Sequence, residues 1–345
     1  MARIGLLTGG GDCPGLNPVI RGIVRKGIDH YGHEIFGFRK GWKGVLDNDA
    51  IELTRENTSG ILHKGGTILG TSRTNVYKTE NGEERVLASL KERGIDVLIP
   101  IGGDDTLGVA RKLFEAGFPT VGVPKTIDND LNATDFTFGF QTAVQIATEA
   151  IDRLHSTAES HDRVIVCEVM GRDAGWIACY SGMAGGADVI LVPERPFDLD
   201  EVCGHITHRH ETTGKTFSIV VVAEGAAPAD GGGAATAADT VDSFGHARLG
   251  GIAHQLEKQI EEKTGYESRA TVLGHIQRGG SPIAFDRILG TRFGVAAIDA
   301  ASNDDYGKMV ALHGTAIELV DLEDALSEPK LLDPELFEIA QVFFG

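Results

Sequence analysis

Carboxylates and a single amine are concentrated at two points in the middle of the chain. The group consists of four aspartates and one lysine: Asp104, Asp105, Lys125, Asp128 and Asp130. Four carboxylates brought into one small volume repel one another strongly unless a cation or protons intervene. Carboxylate oxygens are ligands that Mg²⁺ takes, and a lysine among them can meet a phosphate. The residue types therefore indicate a Mg²⁺ and phosphate site.

These side chains belong to a predicted βαβ unit. β-Branched runs at 97–101 and 120–123 flank an amphipathic helix at 107–116, and each run opens into a loop of Gly, Pro and acids. Loops that follow neighbouring parallel strands emerge at the same edge of a sheet, where α/β proteins bind ligands. We therefore expect the four aspartates to converge there, with Gly102 and Gly103 letting the backbone approach a ligand.

Two further glycine-rich segments are candidate phosphate loops. Gly9–Gly11 lies between the first predicted strand and a helix that Asn17 is expected to cap, and its backbone N–H groups could meet a phosphate. It matches neither GxGxxG nor a P-loop, so a plain tight turn is an equal alternative. The segment 65–75 ends in hydroxyls and Arg73, which favours a second phosphate loop or a surface turn with equal weight.

The second half of the chain repeats the pattern of a strand followed by a glycine loop. Alternating strands and helices from residue 140 to 273 predict a second sheet. Its strand-end loops carry further polar groups: Arg163, Arg172, Glu224, Arg269, His275 and Arg278. Together with the aspartates they fit phosphoryl transfer, which needs a metal, cations over the transferring group and a carboxylate base. The aperiodic segment 226–245 favours a surface insertion over a functional lid.

Composition excludes several other functions. A chain of 345 residues suits two domains, and the net charge of −18 makes nucleic acid or an anionic membrane improbable as the main partner. No apolar run reaches the roughly 18 residues needed to span a bilayer, and the first strand starts at residue 3, which leaves no room for a signal peptide. The four cysteines form no CxxC pair, so we expect a reducing, cytoplasmic location.

From residue 3 to about 313 the chain resembles the 6-phosphofructokinase family. The resemblance rests on seven motifs in family order: LLTGGGDCPGLN, GGTxLGTSR, IPIGGDDT, PKTIDND, CEVMGRDAGW, AEG and RATVLGHIQRGGSP. It implies an α/β fold of two α/β/α sandwich domains with mostly parallel sheets and an active site in the cleft between them. It also implies a donor and Mg²⁺ domain of residues 1–139 plus about 270–305, and a sugar-phosphate domain of residues 140–269 plus about 306–345.

The resemblance implies a role for each matching catalytic residue. Asp128 is expected to deprotonate the 1-hydroxyl of fructose 6-phosphate, while Asp104 and Asp130 serve Mg²⁺. Thr126 and Lys125 are expected at the transferring phosphoryl group. Arg172 is expected to stabilise the charge that develops there.

Binding roles follow in the same way. The sugar phosphate is expected to meet one set of residues: Met170, Gly171, Glu224, His275 and Arg278. Arg163 and Arg269 are expected to reach it from a neighbouring subunit, which implies a homodimer or homotetramer. The phosphoryl donor is expected to face a second set: Gly11, Arg73, Asp105 and Thr106.

Two positions predict the donor. ATP-using bacterial members resemble GGDGS and PGTIDND, whereas this chain has Asp105 and Lys125 at those positions. The aspartate adds bulk and a charge that repels a third phosphate, and the lysine supplies a cation for a short diphosphate. The pair matches pyrophosphate-dependent members, whose reaction is reversible. ATP stays as the alternative donor, because some members combine the lysine with ATP and a different acid.

Other classes fit less well. The related NAD and diacylglycerol kinases lack the HIQRGG and MGR segments, and a non-catalytic metabolite sensor would lack the base or the metal acids. The effector site of the family is matched only in part: Arg21, Arg25 and Arg55 are in place, but His155 replaces an arginine and Thr216 follows Lys215 where a basic residue is expected. We therefore predict little or no effector control.

Overall fold

The structure is a computed structural model that describes residues 1–231, 233–234, 236–241 and 247–345. Within them the chain divides into two compact units. The larger unit contains residues 1–127, 131–142 and 278–329, and the smaller unit contains residues 128–130, 143–277 and 330–345.

The strands of the described residues are numbered in chain order. They are β1 Arg3–Thr8, β2 Glu34–Phe38, β3 Ala50–Leu53, β4 Val97–Gly102, β5 Val121–Thr126, β6 Phe138–Gly139, β7 Val164–Val169, β8 Val189–Leu191, β9 Ser218–Ala223, β10 Thr236–Val241, β11 Ala247–Leu249, β12 Ser268–Val272, β13 Lys308–His313 and β14 Ala316–Asp321.

The helices are numbered in the same way. They are α1 Leu16–Asp29, α2 Trp42–Leu46, α3 Gly82–Arg93, α4 Asp104–Glu115, α5 Phe140–His161, α6 Trp176–Ala184, α7 Leu199–Thr212, α8 Ile252–Thr264, α9 Ala284–Ser302, α10 Leu322–Ala325 and α11 Pro334–Gln341, with 3₁₀ turns at Val76–Lys78 and Gly274–Arg278. None of the helices in these residues is long and apolar enough to cross a membrane.

An eight-stranded sheet forms the core of the larger unit. Its order is β14-β13-β5-β4-β1-β2-β3, with β6 beside β5. All neighbours pair in parallel except β2 with β3 and β13 with β14. The central strands β4 and β5 are buried along their whole length, as expected for parallel strands that are covered on both faces. The predicted βαβ unit at 97–123 is therefore confirmed, and the loops after β4 and β5 lie at one edge of this sheet.

Helices α1 and α9 pack closely because both carry glycines at the contact. A Cβ at Gly294 would lie 2.3 Å from the carbonyl oxygen of Val19, and one at Gly22 would lie 2.8 Å from the carbonyl oxygen of Thr291. These separations are shorter than van der Waals contact, so any larger residue would push the helices apart. The packing fixes α1, which follows the Gly9–Gly11 turn.

The smaller unit has its own parallel sheet, as predicted, in the order β12-β7-β9-β8. Strands β7, β8 and β9 are mostly apolar and buried, and α8 covers one face of the sheet with Ile252, Leu256 and Ile260. The loops after β7, β9 and β12 emerge at the carboxyl edge of this sheet. These loops carry the expected sugar-phosphate residues.

The contact-based division differs from the domain boundaries expected from the sequence. The segment from 306 was expected in the second domain, but β13 pairs with β5 through Lys308 and Met309 and extends the larger sheet. β13 is apolar and buried between its neighbours, which explains its place inside a sheet. Of the residues from 306 onward, only 330–345 belong to the smaller unit, which also contains 270–277, expected in the first domain.

Two local expectations also differ. Helix α1 has Gly15 at its N-cap, so the expected cap by Asn17 is wrong. The Asn17 side chain instead donates to the carbonyl oxygen of Lys64 at 3.0 Å and accepts from the N–H of Ile68 at 2.9 Å. The segment 226–245, expected to be irregular, contains strand β10, which pairs with β11 in an antiparallel ribbon; residues 232, 235 and 242–246 lie outside the described residues.

Candidate active site

Lys125 occupies the glycine turn after β1. Its side chain is only 4% exposed, and its Nζ donates to the carbonyl oxygen of Gly11 at 2.7 Å. A Cβ at Gly10, whose φ is 77°, would lie 3.3 Å from the same Nζ. The turn therefore needs glycine both for its backbone and for the space that the lysine fills. The result is a buried ammonium beside backbone groups that could meet a phosphate.

Thr106 ties the turn after β1 to the turn after β4. It is 3% exposed and stands in the first turn of α4. A Cβ at Gly9 would lie 2.4 Å from Thr106 Oγ1, and a Cβ at Gly102 would lie 2.3 Å from Thr106 Cβ. Because only glycine leaves room for this contact, Gly9 and Gly102 are required by packing around the threonine.

Asp104 and Asp105 begin helix α4. Gly103 at the N-cap supplies no side-chain hydrogen bond, and the two acids are the charged side chains of the first turn. A helix N-terminus stabilises negative charge by roughly 0.3–1 kcal/mol per group. Asp104 is exposed and Asp105 is half-buried. The exposed carboxylate is open to a ligand from solvent.

The segment with Arg73 is attached to the same glycine turn. Thr71 Oγ1 donates to the carbonyl oxygen of Gly10 at 2.5 Å, and the N–H of Gly10 donates to the carbonyl oxygen of Ser72 at 3.4 Å. Arg73 is the exposed residue that follows. The structure therefore brings Arg73 and the Gly9–Gly11 turn together, as the two candidate phosphate loops require.

Arg278 also lies against this turn. A Cβ at Gly11 would lie 2.8 Å from Arg278 Nη1, and Nη1 is 3.5 Å from the carbonyl oxygen of Asp12. The Arg278 Nε is buried and makes no hydrogen bond within the described part of the chain. Arg278, expected to contact the sugar phosphate, is therefore placed next to Gly11, which is expected at the donor.

Cys13 follows the same turn and takes no part in its chemistry. Burial raises the pKa of its thiol to about 12, so the group is neutral near pH 7. All four cysteines are buried free thiols. Cys13 is a packing residue.

Asp128 stands in an irregular loop beyond the end of β5. Asn129, the next residue, is fully buried and adopts a left-handed conformation with φ of 54°. Asp128 Oδ1 is buried and makes no hydrogen bond with the described residues. The carbonyl oxygen of Asp130 accepts from the N–H of Lys330 at 2.9 Å. Thr126 ends β5 and is 8% exposed.

The loops of the smaller sheet bring most of the expected sugar-phosphate residues to one edge. The N–H of Met170 donates to Gln277 Oε1 at 3.3 Å, and the N–H of Gly225 donates to the carbonyl oxygen of Gly171 at 3.0 Å. A Cβ at Gly225 would lie 1.8 Å from the carbonyl oxygen of Arg172. The same edge contains Glu224, whose N–H donates to the carbonyl oxygen of Val169 at the end of β7, and the exposed His275.

Arg163 and Arg269 lie at the opposite end of the same strands. Arg163 directly precedes β7, and Arg269 is the second residue of β12. The length of β7 that separates Arg163 from Gly171 is about 20 Å. Both arginines pair with Glu267, at 2.8 Å from Arg163 Nη2, and the hydrogen bond from Arg163 lowers the pKa of Glu267. The structure does not bring these two arginines to the loops of their own chain.

Within the described residues no three His, Cys, Asp or Glu side chains come together in a group that could hold a metal ion. The expected convergence of the four aspartates stays a prediction. Mg²⁺ in phosphoryl-transfer sites takes one or two carboxylates and completes its shell with water and phosphate oxygens. The exposed carboxylate of Asp104 fits that kind of site.

Two residues at positions of the family's effector site, Arg55 and His155, make contacts within the chain. Arg55 pairs with Asp29 at 3.0 Å. His155 Nε2 is 2.6 Å from the carbonyl oxygen of Gly185, and its ring packs edge-on against Phe217. Weak effector control stays a prediction.

No sequence pattern pointed to Glu194 or Lys330, yet both contact the loops described above. Glu194 accepts from the N–H of Gly175 at 2.9 Å, and Lys330 bonds Asp130. The available signal was weak, because Glu194 is an isolated acid after a buried strand and Lys330 acts through its backbone. Only the structure identifies these contacts.

The strand orders, the glycine-bounded strand ends and the clusters of acids, lysine and arginines define an α/β enzyme of the phosphotransferase class. A family model described as Phosphofructokinase matches residues 3–301. The chain belongs to the phosphofructokinase family.

Individual relatives agree with this assignment. The chain is 58% identical over 344 residues to the pyrophosphate–fructose 6-phosphate 1-phosphotransferase of Amycolatopsis methanolica, an alignment that covers 99% of this chain and 100% of that protein. It is 53% identical over 334 residues to the ATP-dependent 6-phosphofructokinase 3 of Streptomyces coelicolor, covering 95% and 96%. The solved structure of the pyrophosphate-dependent phosphofructokinase of Nitrosospira multiformis has a TM-score of 0.83 at 21% identity, covering 96% and 86%. This last similarity supports the fold.

Proposed function

We propose that this protein transfers a phosphoryl group from pyrophosphate to the 1-hydroxyl of fructose 6-phosphate, reversibly, giving fructose 1,6-bisphosphate and phosphate. The names of the relatives at 57–58% identity support this reaction. The structural observation that carries it is the buried Lys125 ammonium in the Gly9–Gly11 turn.

Lys125 explains the choice of donor in physical terms. Its Nζ fills the space beside Gly10 and Gly11, so a donor at this turn meets a fixed cation. Pyrophosphate is short and highly charged, and a buried cation compensates its charge more effectively than one in water. Asp105, at the start of α4, supplies a negative charge that disfavours a longer triphosphate.

Mg²⁺ is the cofactor implied by this reaction. The carboxylates of Asp104 and Asp130 would hold it, with water and phosphate oxygens completing the shell. When bound, Mg²⁺ would supply positive charge that neutralises the charge developing on the phosphate oxygens. Asp104 is suited to this role because it is exposed in the first turn of α4.

The acid–base and charge-stabilising roles fall to residues of two loops. Asp128 takes the proton from the acceptor hydroxyl, and Arg172 stabilises the negative charge of the transferring group. Thr126, at the end of β5, positions that group with its hydroxyl. In the reverse direction Asp128 returns the proton to the sugar oxygen.

The sugar phosphate is bound at the carboxyl edge of the smaller sheet, where Met170, Gly171, Glu224 and His275 lie; the family resemblance adds the guanidinium of Arg278 to this set. Arg163 and Arg269 stand about 20 Å away, at the amino ends of β7 and β12. We infer that they serve the site of a second copy, so that the active protein is a homodimer or homotetramer.

The test is a direct comparison of donors with the purified protein. With fructose 6-phosphate and Mg²⁺ present, fructose 1,6-bisphosphate formation is measured with pyrophosphate and with ATP at equal concentrations. We expect pyrophosphate to give the higher kcat/KM, and phosphate plus fructose 1,6-bisphosphate to give pyrophosphate in the reverse assay. The second candidate is ATP-dependent phosphofructokinase, which the relative at 53% identity favours, and a higher kcat/KM with ATP would establish it instead.

A further inference from the structure

The segment 330–332 contacts the Asp128–Asp130 loop and the start of helix α6, which directly follows the loop that carries Arg172. It lies between α10 and α11 and beyond the residues matched by the family model. The N–H of Lys330 donates to the carbonyl oxygen of Asp130 at 2.9 Å. The carbonyl oxygen of Lys330 accepts from the indole Nε1 of Trp176 at 3.0 Å. One residue therefore bridges the Asp128–Asp130 loop to the first residue of α6.

Glu194 adds a second connection to the same helix. Its carboxylate accepts from the N–H of Gly175 at 2.9 and 3.1 Å, and from the N–H of Leu332 at 2.9 Å. Gly175 is the N-cap of α6 and has no side chain to cap the helix. The carboxylate takes over that role, because an acceptor oxygen and a negative charge both stabilise a helix N-terminus.

The connection is shielded from water and held at its far end. Trp176 is 6% exposed and Leu332 is 4% exposed. The Lys330 Nζ lies 5.0 Å from the centroid of the Trp176 ring, in a cation–π contact. Helix α11 follows directly, capped by Asp333 and anchored by the buried Phe337. Hydrogen bonds in such an environment are stronger than the same bonds in water.

The two loops that the segment joins have little regular structure of their own. Residues 127–130 lie beyond β5, with Asn129 in a left-handed conformation. Arg172 lies in the loop between β7 and α6, three residues before Gly175. A shift of the segment would therefore displace the candidate base and the candidate charge-stabilising arginine together.

We propose that Glu194, Trp176 and Lys330 are positioning residues that hold the Asp128 loop and the Arg172 loop in the geometry required for phosphoryl transfer. This inference rests on the proposed function, because that reaction is what requires the two loops at once. Proximity and orientation account for a large share of enzymatic rate, so their loss lowers turnover more than substrate binding.

Two conservative variants test the inference. Glu194→Gln keeps the size of the side chain but replaces one of the two acceptor oxygens with an amide that cannot accept from an N–H. Trp176→Phe removes the indole N–H and keeps an aromatic ring beside Lys330. We expect each variant to lower kcat by roughly ten- to hundred-fold, since displacements of about 1 Å have effects of this size, with the KM for fructose 6-phosphate within about two-fold of wild type. The matched control is Glu201→Gln, an exposed acid in the first turn of α7, which should keep wild-type kcat.

The double variant separates positioning from general destabilisation. Both substitutions weaken the connection between the start of α6 and the segment 330–332. The loss of kcat in Glu194→Gln/Trp176→Phe should therefore be close to the larger of the two single losses, not their product. Thermal unfolding is measured in parallel. Wild-type kcat in both single variants, multiplicative losses in the double variant, or a fall in kcat that tracks thermal stability with a matching rise in KM would each overturn the inference. A wild-type protein that is inactive although its thermal unfolding shows it to be folded would instead overturn the proposed function.

Discussion

Lys125 Nζ donates to the carbonyl oxygen of Gly11 at 2.7 Å, which places the ammonium at the end of β5 inside the glycine turn that follows β1. The charge is buried, and a residue larger than glycine at position 10 would come within 3.3 Å of it. Cation and turn therefore form one candidate anion-binding element within the larger unit. The predictions that follow test what this element and the neighbouring loops do.

Replacing Asp105 should broaden the choice of donor. Asp105→Gly removes bulk and a negative charge from the first turn of α4, so repulsion of a triphosphate falls. We expect the ratio of kcat/KM for ATP to that for pyrophosphate to rise at least about ten-fold, which corresponds to about 1.4 kcal/mol. Glu115→Gln, at the far end of the same helix, is the matched charge control. An unchanged ratio in Asp105→Gly would place donor discrimination elsewhere.

Replacing Asp128 should abolish turnover and spare binding. Asp128→Ser removes the proposed base, and loss of a positioned base typically costs about 10²–10⁴-fold in rate. The KM for fructose 6-phosphate should change little, because the sugar is bound by other groups. Steady-state kinetics measure both quantities, with the exposed Asp47→Ser as control. Turnover near the wild-type rate would remove Asp128 from the reaction.

Replacing Arg163 should weaken sugar-phosphate binding through a neighbouring subunit. Arg163→Ala removes a cation, so the KM for fructose 6-phosphate should rise by roughly ten-fold or more while kcat is largely kept. The two inactive or impaired variants Arg163→Ala and Asp128→Ser are then mixed and reassembled. If the arginine acts in a second copy, a site of the Arg163→Ala chain keeps its own Asp128 and receives Arg163 from the Asp128→Ser chain. Activity at a wild-type KM should then reappear. Hybrids with no such activity would show that the residue acts within its own chain or does not act.

Asp286 should make stability depend on pH. Burial raises the pKa of this carboxyl from 3.8 to about 6, and hydrogen bonds from Thr142 offset part of the shift. Because the folded protein holds the proton more tightly than the unfolded chain, this contribution to stability is complete below about pH 4 and is lost as the pH rises through about 6. A shift of about two units corresponds to at most about 3 kcal/mol.

The variant Asp286→Asn removes this titration and keeps an acceptor for Thr142. We therefore expect the stability of the variant relative to wild type, measured as the free energy of unfolding in urea, to be higher at about pH 7.5 than at about pH 4.5. Asp47→Asn, at an exposed position after α2, should show no such trend. If variant and wild type differ in free energy of unfolding by the same amount at both pH values, the raised pKa of Asp286 is contradicted.

The parts of the fold that the sequence predicts are those with local signals. The unit β4-α4-β5 and the alternation from β7 to β12 follow from apolar runs of strand length separated by helical periodicity and by glycine loops. Those signals also indicate that the loops after β4 and β5 share an edge, because consecutive parallel strands joined by a helix are usually neighbours.

The missed features depend on contacts between residues that are distant in the sequence. The pairing of β13 with β5 joins Lys308 to Val121, and nothing in either strand identifies the other. Asn17 has the residue type and position of a helix cap, but its side chain bonds Lys64 and Ile68 about fifty positions away. Lys330 acts through backbone groups that every residue except proline carries, so its identity gives no signal.

The candidate site was predictable at the level of residue types and less so at the level of arrangement. The sequence predicts that Lys125 and Gly11 face a phosphate, without indicating that the first donates to the second. Its prediction that four aspartates cluster concerns residues of both units and stays a prediction. The charge repulsion that makes such a cluster notable also opposes its formation without a metal.

The comparison of donors for the wild-type protein tests the central claim most directly. Initial rates of fructose 1,6-bisphosphate formation are measured against varied pyrophosphate and against varied ATP, at saturating fructose 6-phosphate and Mg²⁺. We predict a higher kcat/KM for pyrophosphate than for ATP. A higher kcat/KM for ATP would contradict the account of Lys125 and Asp105 given above.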